Sequence, residues 1–184
     1  MRVSLGPEDT GLVYRMPYDE VAPTHCYLNA PYDYCRGRTL ELVREQVEDL
    51  PGSVAECGVF MGDFARLMNH CFPNRKLFLY DTFESFDKRD ADFDVEADFV
   101  KGVSRDDLHA TCKTDVLDPV SFIRGACPHP EKLVFRKGYF PETVTPDADE
   151  EFAFVSLDTD LYKPIYAGLE FFYPRLHDGG HLRA

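Results

Sequence analysis

Residues 54–81, VAECGVFMGDFARLMNHCFPNRKLFLYD, contain the pattern that decides the fold of this chain. The apolar run Val54–Glu56 predicts a short strand. The segment after it places apolar side chains at helical spacing, at Phe64, Leu67, Met68 and Cys71. After the break FPNRK, the apolar run Leu77–Tyr80 predicts a second strand. Strand, helix and strand in about thirty residues predict a βαβ unit, and therefore a parallel sheet.

The same alternation continues on both sides of this unit. Upstream, apolar residues at helical spacing predict a helix over Thr39–Leu50, which Pro51 and Gly52 end. Downstream, the pattern predicts a helix in DPVSFIRGAC, strands at Leu133–Phe135 and Phe152–Leu157, and a helix from Pro164 to about Tyr173. We therefore expect an α/β fold with an open parallel sheet of four strands. The segment LHDGGH leads toward a further strand, but we do not expect that strand to form, because the sequence ends with HLRA, which is not an apolar run.

Residues 1–38 show no clear hydrophobic period, and we interpret them as an N-terminal arm or cap. Residues 39–184 form the predicted α/β domain. A length of 184 residues suits one main domain. The sequence has no window of eighteen apolar residues and no secretory h-region near its start, so we expect a cytoplasmic protein without a membrane span.

Six cysteines form no CxxC pair, and in a cytoplasmic protein we expect them to be free thiols rather than disulfides. They are Cys26, Cys35, Cys57, Cys71, Cys112 and Cys127. None of the six histidines stands at zinc-ligand spacing from a cysteine or another histidine, so we predict no zinc site.

The formal net charge is −13, and the acidic residues are concentrated in two segments. Residues 81–118 hold twelve acidic against five basic side chains, and residues 142–160 hold seven acidic side chains and no basic one. Such a surface repels phosphate backbones, so nucleic acid is not an expected partner. The densest run, Asp87–Phe99, is predicted to be a solvated, mobile loop rather than a binding site.

Ligands of open α/β sheets lie at the carboxyl ends of the strands, so the residues that end each strand are candidates for a site. The first strand ends at Glu56, and Gly58 and Gly62 follow it. These glycines let a backbone approach a ligand, or they serve close packing between helix and strand. The spacing is not GxGxxG, and carboxylates flank the turn, so a cationic or zwitterionic ligand fits better than a pyrophosphate.

Asp81 ends the second strand, 23 residues after Gly58. A carboxylate in that position can accept hydrogen bonds from both ribose hydroxyls of an adenosine. Its alternative role is to cap the turn DTFES with its own side chain. Gly138, after the third strand, either lies beside the adenine or is a simple turn glycine.

Asp158 and Asp160 follow the fourth strand, two residues apart. Carboxylate oxygens of this kind are preferred ligands of hard divalent cations such as Mg²⁺. Two carboxylates do not fill a six-coordinate shell, so water, substrate or other side chains must complete it. The alternative is that Asp160 caps the following helix and Asp158 is only exposed.

The chain resembles the macrocin O-methyltransferase family of class I S-adenosylmethionine-dependent methyltransferases. Four ordered segments carry the resemblance: PGSVAECGVFMGDFA, FPNRKLFLYDTFESF, VFRKGYFPET and FAFVSLDTDLYKPIYAGLEFFYPRL. The resemblance implies a Rossmann-like methyltransferase fold that binds S-adenosylmethionine and uses magnesium to methylate a hydroxyl, typically on a sugar.

The resemblance also implies roles for single residues. On the cofactor side these are Glu56, Gly58 and Gly62 in the methionine-side loop, Asp81 at the ribose, Ser85 beside it, and Gly138 and Tyr139 at the adenine. Asp158 corresponds to a metal ligand and base in the family's pattern, while Asp160 and Tyr162 lie near the acceptor sugar.

The family's pattern continues with two further aspartates, so we expect this chain to be truncated before the last strands. The leading hypothesis is an O-methyltransferase acting on a sugar or glycosylated natural product, with a homo-oligomer as a possible assembly. One alternative is a non-catalytic remnant that binds the cofactor or a partner through an open sheet edge. The other is an NAD-dependent reductase, which the missing GxGxxG disfavours.

Overall fold

The computed structural model describes residues 4–5, 12–14, 26–28, 31–111, 113 and 116–184. The chain divides into two compact units, Met1–Gln46 and Val47–Ala184. In the first unit, three short antiparallel strands precede one helix. They are β1 (Ser4–Leu5), β2 (Leu12–Tyr14), β3 (Cys26–Leu28) and α1 (Pro31–Gln46).

Helix α1 begins eight residues before the predicted Thr39 and ends four residues before the predicted Leu50. Pro31 occupies its first position, where the missing backbone N–H costs no hydrogen bond. The segment PYDYCRGR, which precedes Thr39, lacks an apolar period, so the sequence pattern did not reveal this part of the helix.

The second unit is a parallel five-stranded sheet with flanking helices, as the sequence predicted for its class. Its strands are β4 (Ser53–Cys57), β5 (Leu77–Asp81), β6 (Leu133–Lys137), β7 (Phe152–Leu157) and β8 (Leu176–Arg183), in the order β6-β5-β4-β7-β8. Its helices are α2 (Asp63–Cys71), α3 (Lys88–Glu96), α4 (Arg105–Thr111), α5 (Pro119–Ala126) and α6 (Tyr162–Phe172). None of the described helices is long and apolar enough to cross a membrane.

The order of the strands places the topological switch point between β4 and β7. From β4 the chain moves outward through β5 to β6, and then returns to the other side of β4 with β7. Every residue of β4 and of β7 is buried, which explains the nearly continuous apolar sequence of β7. In open parallel sheets, the crevice at such a switch point is the usual ligand site.

An aromatic cluster packs against one face of the sheet. Phe172 of α6 lies with its ring centroid 5.2 Å from that of Phe152 and 5.6 Å from that of Tyr80. Phe140 joins them, its ring parallel to that of Phe172 at 5.9 Å. Aromatic rings bury large areas and prefer such edge-to-face and offset arrangements, so this cluster fixes the position of α6 against the strands.

Strand β8 corrects the expectation that no strand follows LHDGGH. Its residues pair in parallel with β7, with Phe154 opposite His181 and Ser156 opposite Arg183. A register shift separates this pairing from the start of the strand. At Gly180 a side chain would meet the carbonyl oxygens of His177 and Ala153 at 3.0 and 3.1 Å. The glycine therefore permits the irregularity, and main-chain pairing at the outer strand does not need apolar side chains.

Helix α3 corrects the prediction of a mobile loop over Asp87–Phe99. The Asp87 side chain accepts a hydrogen bond from the backbone N–H of Arg89 and so caps the helix. The buried face of the helix consists of Asp90, Ala91 and Asp94. Two of these three residues are acidic. The hydropathy pattern of the segment therefore shows no helical period, although the positions of its buried side chains do.

Candidate functional site

Main-chain hydrogen bonds join the carboxyl ends of four neighbouring strands. In each bond, the residue that follows one strand donates to a residue at the end of its neighbour. The N–H of Gly58 donates to the carbonyl of Tyr80 (3.0 Å), and the N–H of Asp158 donates to that of Cys57 (2.8 Å). On the outer side, the N–H of Gly138 donates to the carbonyl of Asp81 (2.9 Å). The residues that end β4, β5, β6 and β7 therefore meet at one edge of the sheet.

A pocket opens at this edge, with a volume of about 720 Å³ including its solvent-facing mouth. Seven residues that the sequence singled out lie in its wall: Gly58, Asp81, Ser85, Gly138, Tyr139, Asp158 and Asp160. The structure thus brings together residues that are up to 102 positions apart in the chain.

The wall of the pocket is acidic and aromatic. Six carboxylates line it, from Asp81, Glu84, Asp87, Asp90, Asp158 and Asp160. Six aromatic side chains also line it, from Phe60, Tyr80, Phe83, Phe86, Tyr139 and Phe140, and no lysine, arginine or histidine is among the described lining residues. Such a wall favours a ligand that combines a positive charge with a planar ring.

Both oxygens of the Asp81 carboxylate accept hydrogen bonds from the backbone. Oδ2 accepts from the N–H groups of Val59 (2.6 Å) and Phe60 (2.9 Å), and Oδ1 accepts from that of Phe83 (2.7 Å). The capping role that the sequence allowed for Asp81 is therefore present, and it also fixes the loop after β4. The carboxylate lies in the pocket wall as well, so the structure shows Asp81 in a position compatible with both roles.

A glycine is required at position 58, because two strand ends approach each other closely there. Its φ is +87°, and a Cβ atom there would lie 2.2 Å from the carbonyl oxygen of Asp158. Any side chain would therefore push β4 and β7 apart at the switch point. Gly62 has a similar reason, because its Cβ would lie 2.6 Å from Cγ1 of Ile123 in α5.

Three of the four described non-glycine residues with positive φ line the pocket. They are Phe60 (φ 50°), Phe83 (φ 54°) and Asp160 (φ 59°), and the fourth is Asp98. The left-handed region is strained for bulky side chains, and such strain persists only where the surrounding structure holds it. No residue pattern predicted this strain, and it supports the choice of this pocket as the candidate site.

Tyr139 is held on two sides at the β6 end of the pocket. Its hydroxyl donates to Oδ1 of Asp90 (3.0 Å), and the guanidinium of Arg89 lies 3.5 Å from its ring centroid. Burial and the hydrogen bond to Asp90 raise the pKa of Tyr139 to about 12, so its hydroxyl keeps its proton at neutral pH. Asp90 is a pocket residue that the sequence analysis missed, because it lies in the segment interpreted as a loop.

Helix α3 also contacts the start of α6. The backbone N–H of Tyr162 donates to the carboxylate of Asp94, at 3.1 Å to Oδ2. Nζ of Lys163 donates to the carbonyl of Arg89 (2.9 Å). The helix thus connects the side of the pocket formed after β6 with the side formed after β7.

Three predicted site residues, Glu56, Gly62 and Tyr162, do not line the pocket. Glu56 is 1% exposed within the sheet, and Gly62 is the N-cap of α2, where it packs against α5. Tyr162 is half-exposed and belongs to a surface group of aromatic rings with Phe93, Phe99 and Tyr166. Their roles toward a ligand remain predictions.

The residues that the structure describes do not form a metal site. Asp158 and Asp160 lie together in the pocket wall and offer the oxygen ligands that Mg²⁺ prefers. Among the described residues, however, no group of three or more His, Cys, Asp or Glu side chains is arranged to hold a metal ion. These residues alone do not complete a magnesium site, and we derive no catalytic step through a metal.

The buried thiols agree with the expectation for the cysteines whose side chains are described. Cys57, Cys71 and Cys127 are free and buried. Burial and the nearby carboxylates of Asp81 and Glu56 raise the pKa of Cys57, so it stays a neutral thiol in the pocket wall. Cys26, Cys35 and Cys112 lie outside the residues with described side chains.

The five-stranded parallel sheet defines a Rossmann-like α/β domain with a pocket at its carboxyl edge, beside the switch point. The sequence profile of the macrocin-O-methyltransferase (TylF) family matches residues 37–183. The chain belongs to this family, as the resemblance of its motifs predicted. No curated protein matches the chain significantly.

Solved methyltransferase structures share this fold. The calicheamicin methyltransferase CalS11 is 20% identical, with a TM-score of 0.64, covering 83% of this chain and 64% of that chain. The O-methyltransferase NovP is 24% identical, with a TM-score of 0.63, covering 80% of this chain and 62% of that chain. The apo structure of CalS11, a TDP-rhamnose 3'-O-methyltransferase of calicheamicin biosynthesis, is 18% identical, with a TM-score of 0.51, covering 83% of this chain and 62% of that chain. The chain therefore spans less than two thirds of each neighbour, and at these identities the likeness shows the fold alone.

Proposed function

We propose that the chain binds S-adenosylmethionine and transfers its methyl group to a hydroxyl of a sugar or a glycosylated natural product. The observation that carries the proposal is the acidic, aromatic pocket at the switch point, in a chain that belongs to an O-methyltransferase family. The carboxylates suit the sulfonium and ammonium charges of S-adenosylmethionine, and the aromatic rings suit its adenine. One structural neighbour, CalS11, is a TDP-rhamnose 3'-O-methyltransferase, which supports a deoxysugar as the acceptor class.

The proposed cofactor residues fit an adenosyl group along the sheet edge. Asp81, with Ser85 beside it, is at the end of β5, where it would hold the ribose, and Gly138 and Tyr139 follow β6, where they would contact the adenine.

Asp158 is the proposed general base. When bound, S-adenosylmethionine supplies a methyl group already activated by its positive sulfur. Asp158 would accept the proton of the acceptor hydroxyl, while Asp160 and Tyr162 would orient the acceptor. The contact of the Asp158 backbone with Gly58 fixes the base relative to the β4 end of the pocket.

We also propose that Mg²⁺ assists the reaction, with Asp158 as a ligand. If bound there, Mg²⁺ would be held by Asp158 and would supply Lewis-acid chemistry. Because the described residues do not complete its coordination shell, the acceptor, water or other ligands must contribute. A cytoplasmic location and a homo-oligomeric assembly stay predictions.

Two measurements test the proposal. Titration calorimetry should show binding of S-adenosylmethionine and none of NAD; binding of NAD alone would favour the reductase. Transfer of a labelled methyl group to a nucleotide-linked deoxysugar or a deoxysugar glycoside, with Mg²⁺ or with EDTA, then tests catalysis. Cofactor binding without turnover on either acceptor would favour the non-catalytic alternative, and equal turnover in EDTA would remove the metal from the mechanism.

A further inference from the structure

Asp90 is a deeply buried carboxylate in the pocket wall. It is 3% exposed, and it projects from α3 into the lining of the pocket. The Tyr139 hydroxyl donates to its Oδ1 at 3.0 Å. Among the described residues, no lysine, arginine or histidine forms an ion pair with it.

A buried carboxylate with a single hydrogen-bond donor lowers the stability of the folded protein unless a further donor binds it. A buried carboxylate is normally paired with a cation or with several hydrogen-bond donors, because it has lost its hydration. Here a single neutral hydroxyl donates to Oδ1, and burial raises the pKa of Asp90 above its ordinary value. The Oδ2 atom is therefore available to accept a hydrogen bond from a ligand in the pocket.

The position of Asp90 along the sheet edge indicates which part of the ligand it meets. Asp158 and Gly58 mark the switch-point end of the pocket, Asp81 follows β5, and Tyr139 follows β6 at the far end. Adjacent strands are about 4.8 Å apart, so the ends of β4 and β6 are separated by roughly 10 Å, about the extent of an adenosyl group. Through its bond to Tyr139, Asp90 lies at the adenine end.

We propose that Asp90 recognises the exocyclic amino group of the adenine by accepting a hydrogen bond from it. This inference rests on the proposed function, since it requires an adenosyl ligand. Tyr139 is the positioning residue, because its hydroxyl holds Oδ1 of Asp90 and leaves Oδ2 for the ligand. The carboxylate accepts hydrogen bonds and donates none, so it selects an amino group over a carbonyl at the same ring position.

The acceptor is fixed in place before a ligand arrives. Arg89 lies over the Tyr139 ring, and its guanidinium donates to both oxygens of Asp87 (2.9 Å each) and to Glu142 (2.9 Å). The neighbouring Lys163 holds the Arg89 carbonyl (2.9 Å). These contacts restrain the first turn of α3, so the carboxylate loses little conformational freedom on binding.

The experiment compares two ligands that differ at one ring position, S-adenosylhomocysteine and S-inosylhomocysteine, the second of which has a carbonyl in place of the amino group. Titration calorimetry on the wild-type chain should show binding of the adenosine compound about 10- to 100-fold tighter, as expected for a charge-assisted hydrogen bond. Asp90→Asn offers an amide N–H to the carbonyl, so the ratio of the two affinities should fall to about 1–3. The exposed Asp92, on the same helix and paired with Arg105, supplies the control: Asp92→Asn should keep the wild-type ratio.

Tyr139→Phe provides a second variant that does not change the carboxylate. It removes the hydroxyl that holds Asp90, and the ratio should fall about 3- to 10-fold while S-adenosylhomocysteine still binds. Equal affinity of the wild-type chain for both compounds, or an unchanged ratio in folded Asp90→Asn, would overturn the role of Asp90 and leave the proposed function intact. If the wild-type chain binds neither compound, nor S-adenosylmethionine, both proposals fail together.

Discussion

Replacing Gly58 with alanine tests the closure of the switch point directly. The new Cβ would lie 2.2 Å from the Asp158 carbonyl oxygen and 2.5 Å from its carbonyl carbon, at a φ of +87°. We expect a loss of about 1–2 kcal/mol from the left-handed backbone and about 1–3 kcal/mol from overpacking, or about 2–5 kcal/mol in total. That is a large fraction of the stability of a typical domain. Urea unfolding followed by circular dichroism measures the loss.

Gly102 supplies the matched control for this substitution. Its φ is +72°, and a Cβ there would meet no atom within 4 Å, so Gly102→Ala should cost only the backbone part, about 1–2 kcal/mol. The difference between the two variants isolates the contact with Asp158. If both variants lose the same stability, the two strand ends are not in close contact and the described closure is wrong. Gly58→Ala should also weaken the binding of S-adenosylmethionine, whereas Gly102→Ala should not.

Three further substitutions test other parts of the site. Asp81→Ala should weaken S-adenosylmethionine binding by about 1.5–3 kcal/mol in calorimetry. It should also lower the stability of the fold, because the backbone N–H groups that donate to Asp81 lose their acceptor. Unchanged affinity would remove Asp81 from the site. Asp147→Ala should lower the free energy of unfolding, measured in urea, by about 3–5 kcal/mol. The substitution leaves the partly buried Arg136 without its ion pair and the Tyr80 hydroxyl without its acceptor. A loss below about 1 kcal/mol would contradict this account. Asp90→Asn should raise the thermal midpoint at pH 7, since burial raises the pKa of the folded carboxyl and so penalises its charged form. This gain should disappear as the pH falls through that raised pKa, because the wild-type carboxyl then becomes neutral; a gain independent of pH would refute the assignment.

The sequence predicted the strands and their ends because burial and chemistry both leave marks there. The runs Leu77–Tyr80 and Phe152–Leu157 are apolar because both faces of each strand are covered. Asp81 and Asp158 follow them immediately, and parallel strands carry such residues to one edge. The fold class and five lining residues could therefore be inferred from local pattern and topology, whereas Ser85 and Tyr139 came from the family resemblance.

Helix α3 could not be inferred in this way, because its buried face is made of carboxylates. Asp90 and Asp94 are each 3% exposed, although their residue type predicts exposure. Their burial depends on donors that are distant in sequence, Tyr139 and the backbone of Tyr162. Hydropathy reports the preference of one residue for water, and it contains no information about partners 49 or 68 positions away.

Glu56 and Gly62 lie outside the lining of the pocket, and their contact with a ligand stays a prediction. Their place beside a strand end suggested contact with a ligand, but successive side chains of a strand point to opposite faces of the sheet. Glu56 is buried within the sheet, and Gly62 is needed where Ile123 approaches. The spacing identified the right turn, but it could not tell which of its residues face the pocket.

The left-handed backbone of Phe60, Phe83 and Asp160 places local strain in the wall of the pocket. Glycine at any of these positions would relax the main chain, so selection for heat resistance would favour it there. The same exchange would remove a side chain from the wall of the pocket and would loosen the loop that carries it. A laboratory lineage evolved for robustness is thus expected to reshape the proposed ligand pocket first through these three codons.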